Sequence, residues 1–363
     1  MATVASFNVD YIQYLSPTGD LVGNSIPAIA KDFKKLKSLY ETMVMTRVFD
    51  AKAISLQRTG KLGTYASSLG HEAVHVGMGS AMRYEDVFAP SYREYGVQFC
   101  RGVKMSEVLL YWGGDERGSN FSGPPHDFPW CVPIATQNTH AAGAALSFKL
   151  RKEPRCTVSV IGDGGSSKGD FLEAINAASA FKLPMVLVII NNGWAISVPR
   201  KKQSKGQTLA QKGISGGLPS IQVDGNDLIA VHHEVKQALE RARNGEGATV
   251  IEAITYRLGD HTTADDASRY RPDEEVENAK KYEPILRLRQ YLMDNKQWSV
   301  QQENKLMEEC SNKVEAAVKE YQSASKLPVT DMFDYMFAEL PHDLAEQRQF
   351  ALDLENKHNG AHK

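Results

Sequence analysis

Gly162-Asp163-Gly164-Gly165 and Asn191-Asn192 are the residues of this chain whose types and spacing could do chemistry together. The first cluster follows an apolar run, Thr157–Ile161, and the second ends another, Met185–Ile190. Each polar cluster therefore lies at the carboxyl end of a predicted buried strand, the edge where open α/β sheets bind ligands. Glycines let a backbone approach phosphate oxygens. An aspartate in the same turn would repel a diphosphate unless a hard cation stood between them. Mg²⁺ takes oxygen donors of the kind a carboxylate and an amide supply. These residues point to a diphosphate held through a divalent cation. Two other phosphate loops fit less well. A dinucleotide-binding turn needs a third glycine where Ser167 stands, and an acidic residue where this chain has Asn191-Asn192. A Walker A loop needs Gly before its lysine, and here Lys168 follows Ser167. A plain strand-to-helix turn explains the glycines but not the asparagine pair.

The elements that must position these clusters alternate. A strand at 157–161, a helix near 170–182 and a strand at 185–190 are followed by strand Ile221–Val223, helix Leu228–Arg243 and strand Thr249–Ile254. That alternation predicts an α/β fold, a parallel sheet with helices on both faces. Upstream, Asp32–Thr59 predicts one long helix, with Leu36, Leu39, Met43, Phe49 and Leu56 at apolar positions and Gly60 as a stop. Glu72–Met82 predicts a second helix, and Val87–Ala89 a short strand before Tyr92-Arg93. Gly113–Pro133 is rich in Gly and Pro, and a segment that long without pattern has a function or orders on a partner. Val132–Gln137 reads as a buried strand leading into a small-residue helix at Thr139–Leu150, and Lys201–Pro219 as a loop. Helices at 280–294 and 299–323 form a helical C-terminal region. By sequence the chain divides into an N-terminal arm, 1–30, and a single domain, 31–363, with C-terminal helices from about residue 280.

Composition excludes several classes. With 363 residues, 42% of them hydrophobic, the chain can bury a large core. A formal net charge of −2 offers nothing for nucleic acid or an anionic membrane. Cys100, Cys131, Cys156 and Cys310 are scattered, without a CxxC pair, and read as reduced thiols of a cytoplasmic protein. The first residues lack the basic and apolar regions of a secretory signal, and no run is long enough to span a membrane.

GDG followed by NN at the next strand end resembles the signature of thiamine-diphosphate enzymes. YASSLGHEA, SYREYG, GDGGSSKGDFLEAIN, NNGWAIS, IQVDGND and TYRLGDHTTADDASRYR resemble the alpha subunit of the 2-oxoacid dehydrogenase first component. Within that group the pyruvate dehydrogenase type is the most similar, over roughly residues 30 to 350. The resemblance implies the thiamine-diphosphate-binding fold, with thiamine diphosphate and Mg²⁺ as cofactors. Asp163, Asn192 and the main-chain carbonyl of Trp194 would be the metal ligands. Gly164 and Gly165 would offer N–H groups near the diphosphate. Tyr92 and Arg93 would contact it too, as would Arg257; arginine can pair a phosphate bidentately. Val132 and Ile134 would lie beside the cofactor, and Thr136 and Gln137 match a potassium site of the branched-chain relatives. His261 would sit on a loop that shuts over the cofactor, braced by ion pairs of Asp265, Asp266 and Arg269. A loop histidine is ordinarily just exposed, but this loop leaves strand 249–254 on the same edge as Asp163 and Asn192. Thr262 follows where mammalian relatives carry a phosphorylated serine, so that control is not implied.

The implied reaction decarboxylates pyruvate and passes the acetyl group to the lipoyl domain of a dihydrolipoyl acyltransferase core, giving acetyl-CoA in the full complex. Only one α/β sheet is legible, carrying the diphosphate side. The glutamate that activates the aminopyrimidine ring should therefore belong to a beta subunit, in a heterotetramer of two alpha and two beta chains. Two alternatives stay open. A branched-chain 2-oxo acid enzyme is favoured by the HTTADDASRYR loop and by Thr64, where pyruvate-type relatives often carry Phe beside the substrate; the adjacent Tyr65 could fill that space. A non-catalytic Mg²⁺-diphosphate-binding protein is the other. His232-His233, on helix 228–243, reads as a solvated face.

Overall fold

The structure is a computed structural model that describes residues 1–361. Eight strands are described: β1 (Tyr11–Ile12), β2 (Val87–Ala89), β3 (Thr157–Gly162), β4 (Met185–Asn191), β5 (Trp194–Ala195), β6 (Val198–Pro199), β7 (Ser220–Asp224) and β8 (Thr249–Ile254). Six of them form one sheet in the order β1-β7-β8-β4-β3-β2, every neighbour parallel. β5 and β6 make a small antiparallel hairpin directly after β4. In the sheet Gly162 pairs with Ile190 and Asn191 with Ile254. Three chains therefore leave the sheet almost level with one another, all at its carboxyl edge.

The strands read as apolar runs because both faces are covered. Side chains alternate between faces with period two. Val158, Val160, Val186, Val188 and Ile251 pack with Val74 and Met78 of helix Glu72–Ala81 and with Val231, Val235 and Leu239 of helix Leu228–Arg243. Ile161, Leu187, Ile189 and Val250 pack with Ala141 and Ala145 of helix Thr136–Arg151 and with Phe171 and Ile175 of helix Gly169–Ala180. Each such aliphatic side chain, fully buried, contributes roughly 1.5–3 kcal/mol before chain entropy is charged against it. A third apolar cluster joins Leu36, Tyr40 and Met43 of helix Phe33–Arg58 to Leu288, Tyr291 and Leu292 of helix Pro284–Asp294. The Asp32 side chain caps the long helix by accepting from Lys35 N at 3.0 Å.

Several local expectations change. From Asp10 onward the segment expected as an arm is tied into the sheet: Tyr11–Ile12 pair with Gln222–Val223, and Tyr14 and Leu15 N–H both donate to Asp227 Oδ2. Val132–Gln137 is not a buried strand. Val132 is 52% and Ile134 39% exposed, and Ala135, with φ 77°, turns the chain into the helix starting at Thr136. The expected helix at 280–294 is two, Asp273–Lys280 and Pro284–Asp294, because Pro284 opens the second under a Glu283 cap. The 201–219 stretch carries two short helices, Arg200–Gln203 and Gln211–Ser215. His232 is buried rather than solvated, bonded through Nδ1 to Ser80 Oγ at 2.8 Å.

The chain divides into two compact units, Met1–Val318 and Lys319–Lys363. In the second, a turn of helix at Asp331–Asp334 is joined to helix His342–Ala361 by the Arg348–Asp334 ion pair. Among the described residues no helix is long and apolar enough to cross a membrane.

Candidate cofactor site

A cavity of about 750 Å³ opens over the carboxyl ends of β3 and β4. Its wall includes Asp163, Gly164, Gly165, Asn192 and Trp194 from the strand ends and Tyr92 and Arg93 from the turn after β2. It also includes Val132, Ile134 and His261. Val132 and Ile134 are thus exposed to the cavity, which explains apolar side chains left out of the core.

The floor is set by main chain. Asp163 leaves β3 with its N–H on Ile190 O at 3.2 Å, and Ser166 Oγ donates to Asp163 O. Asp163 is 2% exposed. Burial pushes its pKa up to about 6, opposed by the Gly164 N–H and the charge of Arg257. A side chain at Gly164 would meet Ala195 Cβ at 2.3 Å, and one at Gly165 would meet Ile161 and Ile134 below 3.0 Å, so the turn must be glycine to lie this close. Asn192 Oδ1 accepts from Trp194 N at 3.2 Å, and Trp194 Nε1 donates to Glu275 Oε1 at 2.9 Å. The hairpin β5–β6 is folded back by Arg200 N donating to Gly193 O.

The wall over this floor is built by side chains. Arg93, buried, donates from Nη1 to Ser67 O and from Nη2 to His261 O at 2.8 Å, with Nη2 also 3.2 Å from His261 Nδ1. Facing that guanidinium, His261 Nδ1 is the acceptor and Nε2 carries the proton. Burial, then Arg93 and Arg257, lower the His261 pKa to about 4, so its ring is neutral at pH 7. The Tyr92 ring meets the His261 ring edge-on at 6.2 Å. Asp265 Oδ2 accepts from His261 N at 2.9 Å and from the Tyr270 hydroxyl. Asp266 caps Ser268 N at 3.2 Å. The loop is thus braced by hydrogen bonds of Asp265, Asp266 and Tyr270, and not by ion pairs to Arg269, which is exposed.

Arg257 is the one expected contact residue that does not line the cavity. It is 0% exposed and lies behind the hairpin, with Nη2 on Ile196 O at 2.9 Å and on Tyr270 Oη at 2.8 Å. Sequence reading also passed over residues that do line it: His71, His75, Glu94, Lys168 and Gln203. Gln203 Nε2 lies 3.4 Å from Asp163 Oδ2. Glu94 is buried, and burial pushes its pKa up to about 7 against the N–H groups of Arg93 and Ser91. His71 is buried and kept neutral, its pKa lowered to about 3 by burial and Arg93. Both ring nitrogens of His75 and Oε1 of Gln137 are buried without a partner. The signal for the histidines was their spacing of four in LGHEAVH, which puts them on one helix face. Helix Glu72–Ala81 is buried on nearly all sides, so no amphipathic pattern singled that face out. Thr64 lines the cavity, whereas Tyr65 is buried with its hydroxyl on Asp50 Oδ1 at 2.9 Å and does not fill it.

These residues fit a hard cation with an anionic ligand. Asp163 and Asn192 present oxygen donors beside the Trp194 main chain, and a buried carboxylate gains from a cation that offsets its lost hydration. Among the described residues no group of three or more His, Cys, Asp or Glu could hold a metal; the expected set has one carboxylate, an amide and a carbonyl.

Oxygen donors and glycine turns at the carboxyl edge of a parallel α/β sheet suit an enzyme that binds an anionic cofactor there. The chain belongs to the dehydrogenase E1 component family, whose model matches residues 40–330, and members of that family depend on thiamine diphosphate. Its relatives include the pyruvate dehydrogenase E1 component subunit alpha of Acholeplasma laidlawii, 43% identical over 86% of this chain and 91% of the relative. The protein of the same name from Staphylococcus epidermidis is 40% identical over 96% of this chain and 94% of its own length. That of Staphylococcus aureus is 39% identical over the same shares.

Proposed function

We propose that this chain is the alpha subunit of a pyruvate dehydrogenase first component, which decarboxylates pyruvate and acetylates a lipoyl arm with thiamine diphosphate as cofactor. The observation that carries this reading is the convergence of Asp163, Asn192, Trp194, Arg93 and His261 on one cavity, in a chain of this family. When bound, thiamine diphosphate supplies the electron sink that makes loss of CO₂ from a 2-oxo acid feasible. Mg²⁺ is taken by Asp163, Asn192 and the Trp194 carbonyl. Gly164 and Gly165 N–H and the Arg93 guanidinium face the diphosphate, with Tyr92 beside them. Val132 and Ile134 give the cofactor an apolar wall. Neutral His261 offers its Nε2 proton to the anionic ligand, and its loop excludes water from the reacting groups. Arg257 acts from behind, holding the hairpin that carries the Trp194 carbonyl.

The partner is a beta subunit, in a tetramer of two alpha and two beta chains that serves a dihydrolipoyl acyltransferase core. Support comes from the single six-stranded parallel sheet of this chain, whose carboxyl edge carries the Asp163 and Asn191-Asn192 motifs. The four cysteines are unpaired, which suits a reducing compartment, and the proposed location is the cytoplasm. The test is the chain purified with its beta subunit, assayed on pyruvate and on 3-methyl-2-oxobutanoate. The proposal expects pyruvate to be preferred and the lone chain to be inactive with dye as acceptor. Preference for the branched acid, or turnover by the lone chain, overturns it.

A further inference from the structure

The geometry points to His71 as a positioning residue that fixes which end of the Asn192 side-chain amide is presented to the metal. This inference rests on the reading of Asn192 as a magnesium donor. The two ends of an asparagine amide have nearly the same shape, so packing alone does not choose between them. Only the oxygen end can bind a hard cation. The choice is made by hydrogen-bond partners, and here they agree.

His71 Nδ1 lies 3.2 Å from the Ser68 carbonyl oxygen. A carbonyl only accepts, so Nδ1 carries the proton and the buried neutral ring leaves Nε2 as an acceptor. Nε2 lies 3.1 Å from Asn192 Nδ2, whose N–H donates to it. At the other end Trp194 N–H donates to Asn192 Oδ1 at 3.2 Å. Reversing the amide would set its oxygen against the Nε2 lone pair and its N–H₂ against the Trp194 N–H. One lone pair of Oδ1 is left for a cation.

The His71 ring is itself fixed from the protein side. It stacks on His75 with centroids 5.5 Å apart and planes 16° from parallel. Its backbone starts helix Glu72–Ala81, with His71 N–H on Ser68 O at 2.9 Å. The next residue, Glu72, is held by Arg47 Nε at 2.9 Å and by Gly70 N at 3.0 Å. The acceptor for Asn192 is therefore in place before any ligand arrives, 121 residues away in sequence.

The test is the Mg²⁺ concentration needed for half-maximal thiamine diphosphate binding, read by calorimetry on the complex with the beta subunit. For His71→Ala we expect that requirement to rise roughly tenfold, the lower end of what losing an orienting partner of a metal ligand costs. At saturating Mg²⁺ the cofactor affinity should stay within about twofold, and in an Asn192→Ala background His71→Ala should add less than about twofold, since it acts through Asn192. His71→Gln, whose amide oxygen can accept, should recover the requirement to within about threefold. Should His71→Ala not fold, His71→Phe keeps the stack and removes the acceptor, and carries the same expectation. An unchanged Mg²⁺ requirement in the acceptor-less variant, or the same rise with Asn192 already gone, overturns the role of His71. If Asn192→Ala alone leaves the requirement unchanged, the metal assignment fails and this inference falls with it.

Discussion

The floor and the wall of the cavity are built by different means. Asp163 and Asn192 are delivered by parallel strands whose register brings the ends of β3 and β4 level, and their positions follow from backbone pairing. The loop that leaves β8, from Arg257 to Arg271, has no such ladder. Three isolated main-chain bonds tie it to other segments, Arg257 N on Asn192 O, Leu258 N on Leu69 O and Thr263 N on Tyr65 O. Side chains supply the rest: Arg93 on His261, Asp265 on the His261 N–H and the Tyr270 hydroxyl, Arg271 on the carbonyls of Arg257 and Leu258. A backbone-built floor draws its geometry from the sheet and needs no bound cofactor to set it. A loop held by isolated bonds, main-chain and side-chain, can open at a lower cost than a ladder, since each such bond contributes only about 1 kcal/mol net. The floor suits binding and the loop suits gating of turnover.

The largest expected effect lies on the floor. Asp163→Ala should weaken Mg²⁺-dependent thiamine diphosphate binding by on the order of 10²-fold or more, because a buried ligand is lost outright while the strands remain. Calorimetry of the α/β complex reads this, and near-wild-type affinity would break the floor's assignment.

His261→Ala should divide the two quantities differently. Turnover should fall by on the order of 10²-fold, in the range of positioned proton-donating groups, with cofactor affinity lowered much less. Lipoyl-domain acylation should fall at least as far as dye reduction. Acylation within about twofold of wild type would make His261 a bystander, as a plain exposed loop residue is.

Asp265→Asn sharpens the comparison without touching the ring. It weakens the two bonds that close the loop on itself, so turnover should drop by roughly tenfold and amide exchange at residues 261–271 should quicken, with cofactor affinity nearly unchanged. A drop in affinity as large as the drop in turnover would mean that the loop belongs to the binding floor.

The smallest effect lies in neither region and calibrates both. His232 packs on the far side of helix Glu72–Ala81, and burial, then Lys35, lower its pKa to about 4. Its folded pKa is below the unfolded value of 6.5, so the native state binds fewer protons and stability is lost as pH falls from about 6.5 toward 4. Against His232→Asn, the wild type should lose an extra 1–2 kcal/mol, roughly, between pH 7 and 5 in denaturant titrations. Parallel curves for the two proteins would show that the ring takes up its proton equally in the folded and unfolded states.

The sequence by itself determined the sheet and the floor. Apolar runs ending on Asp163 and on Asn191-Asn192 are local patterns, and parallel pairing follows once both faces must be buried. It also determined the long helix at Phe33–Arg58, whose cap and apolar spacing are local too. Only the tertiary structure decided how the wall is held. It carried Val132 and Ile134, which the resemblance put beside the cofactor, on a turn at the cavity and not on a buried strand, and it put Arg257 behind the hairpin. It brought His71 against Asn192 across 121 residues of chain. A strand or a cap is specified by neighbours a few positions away. A hydrogen bond between side chains so distant in sequence exists only after the helices have packed on the sheet, and no spacing in the sequence records it.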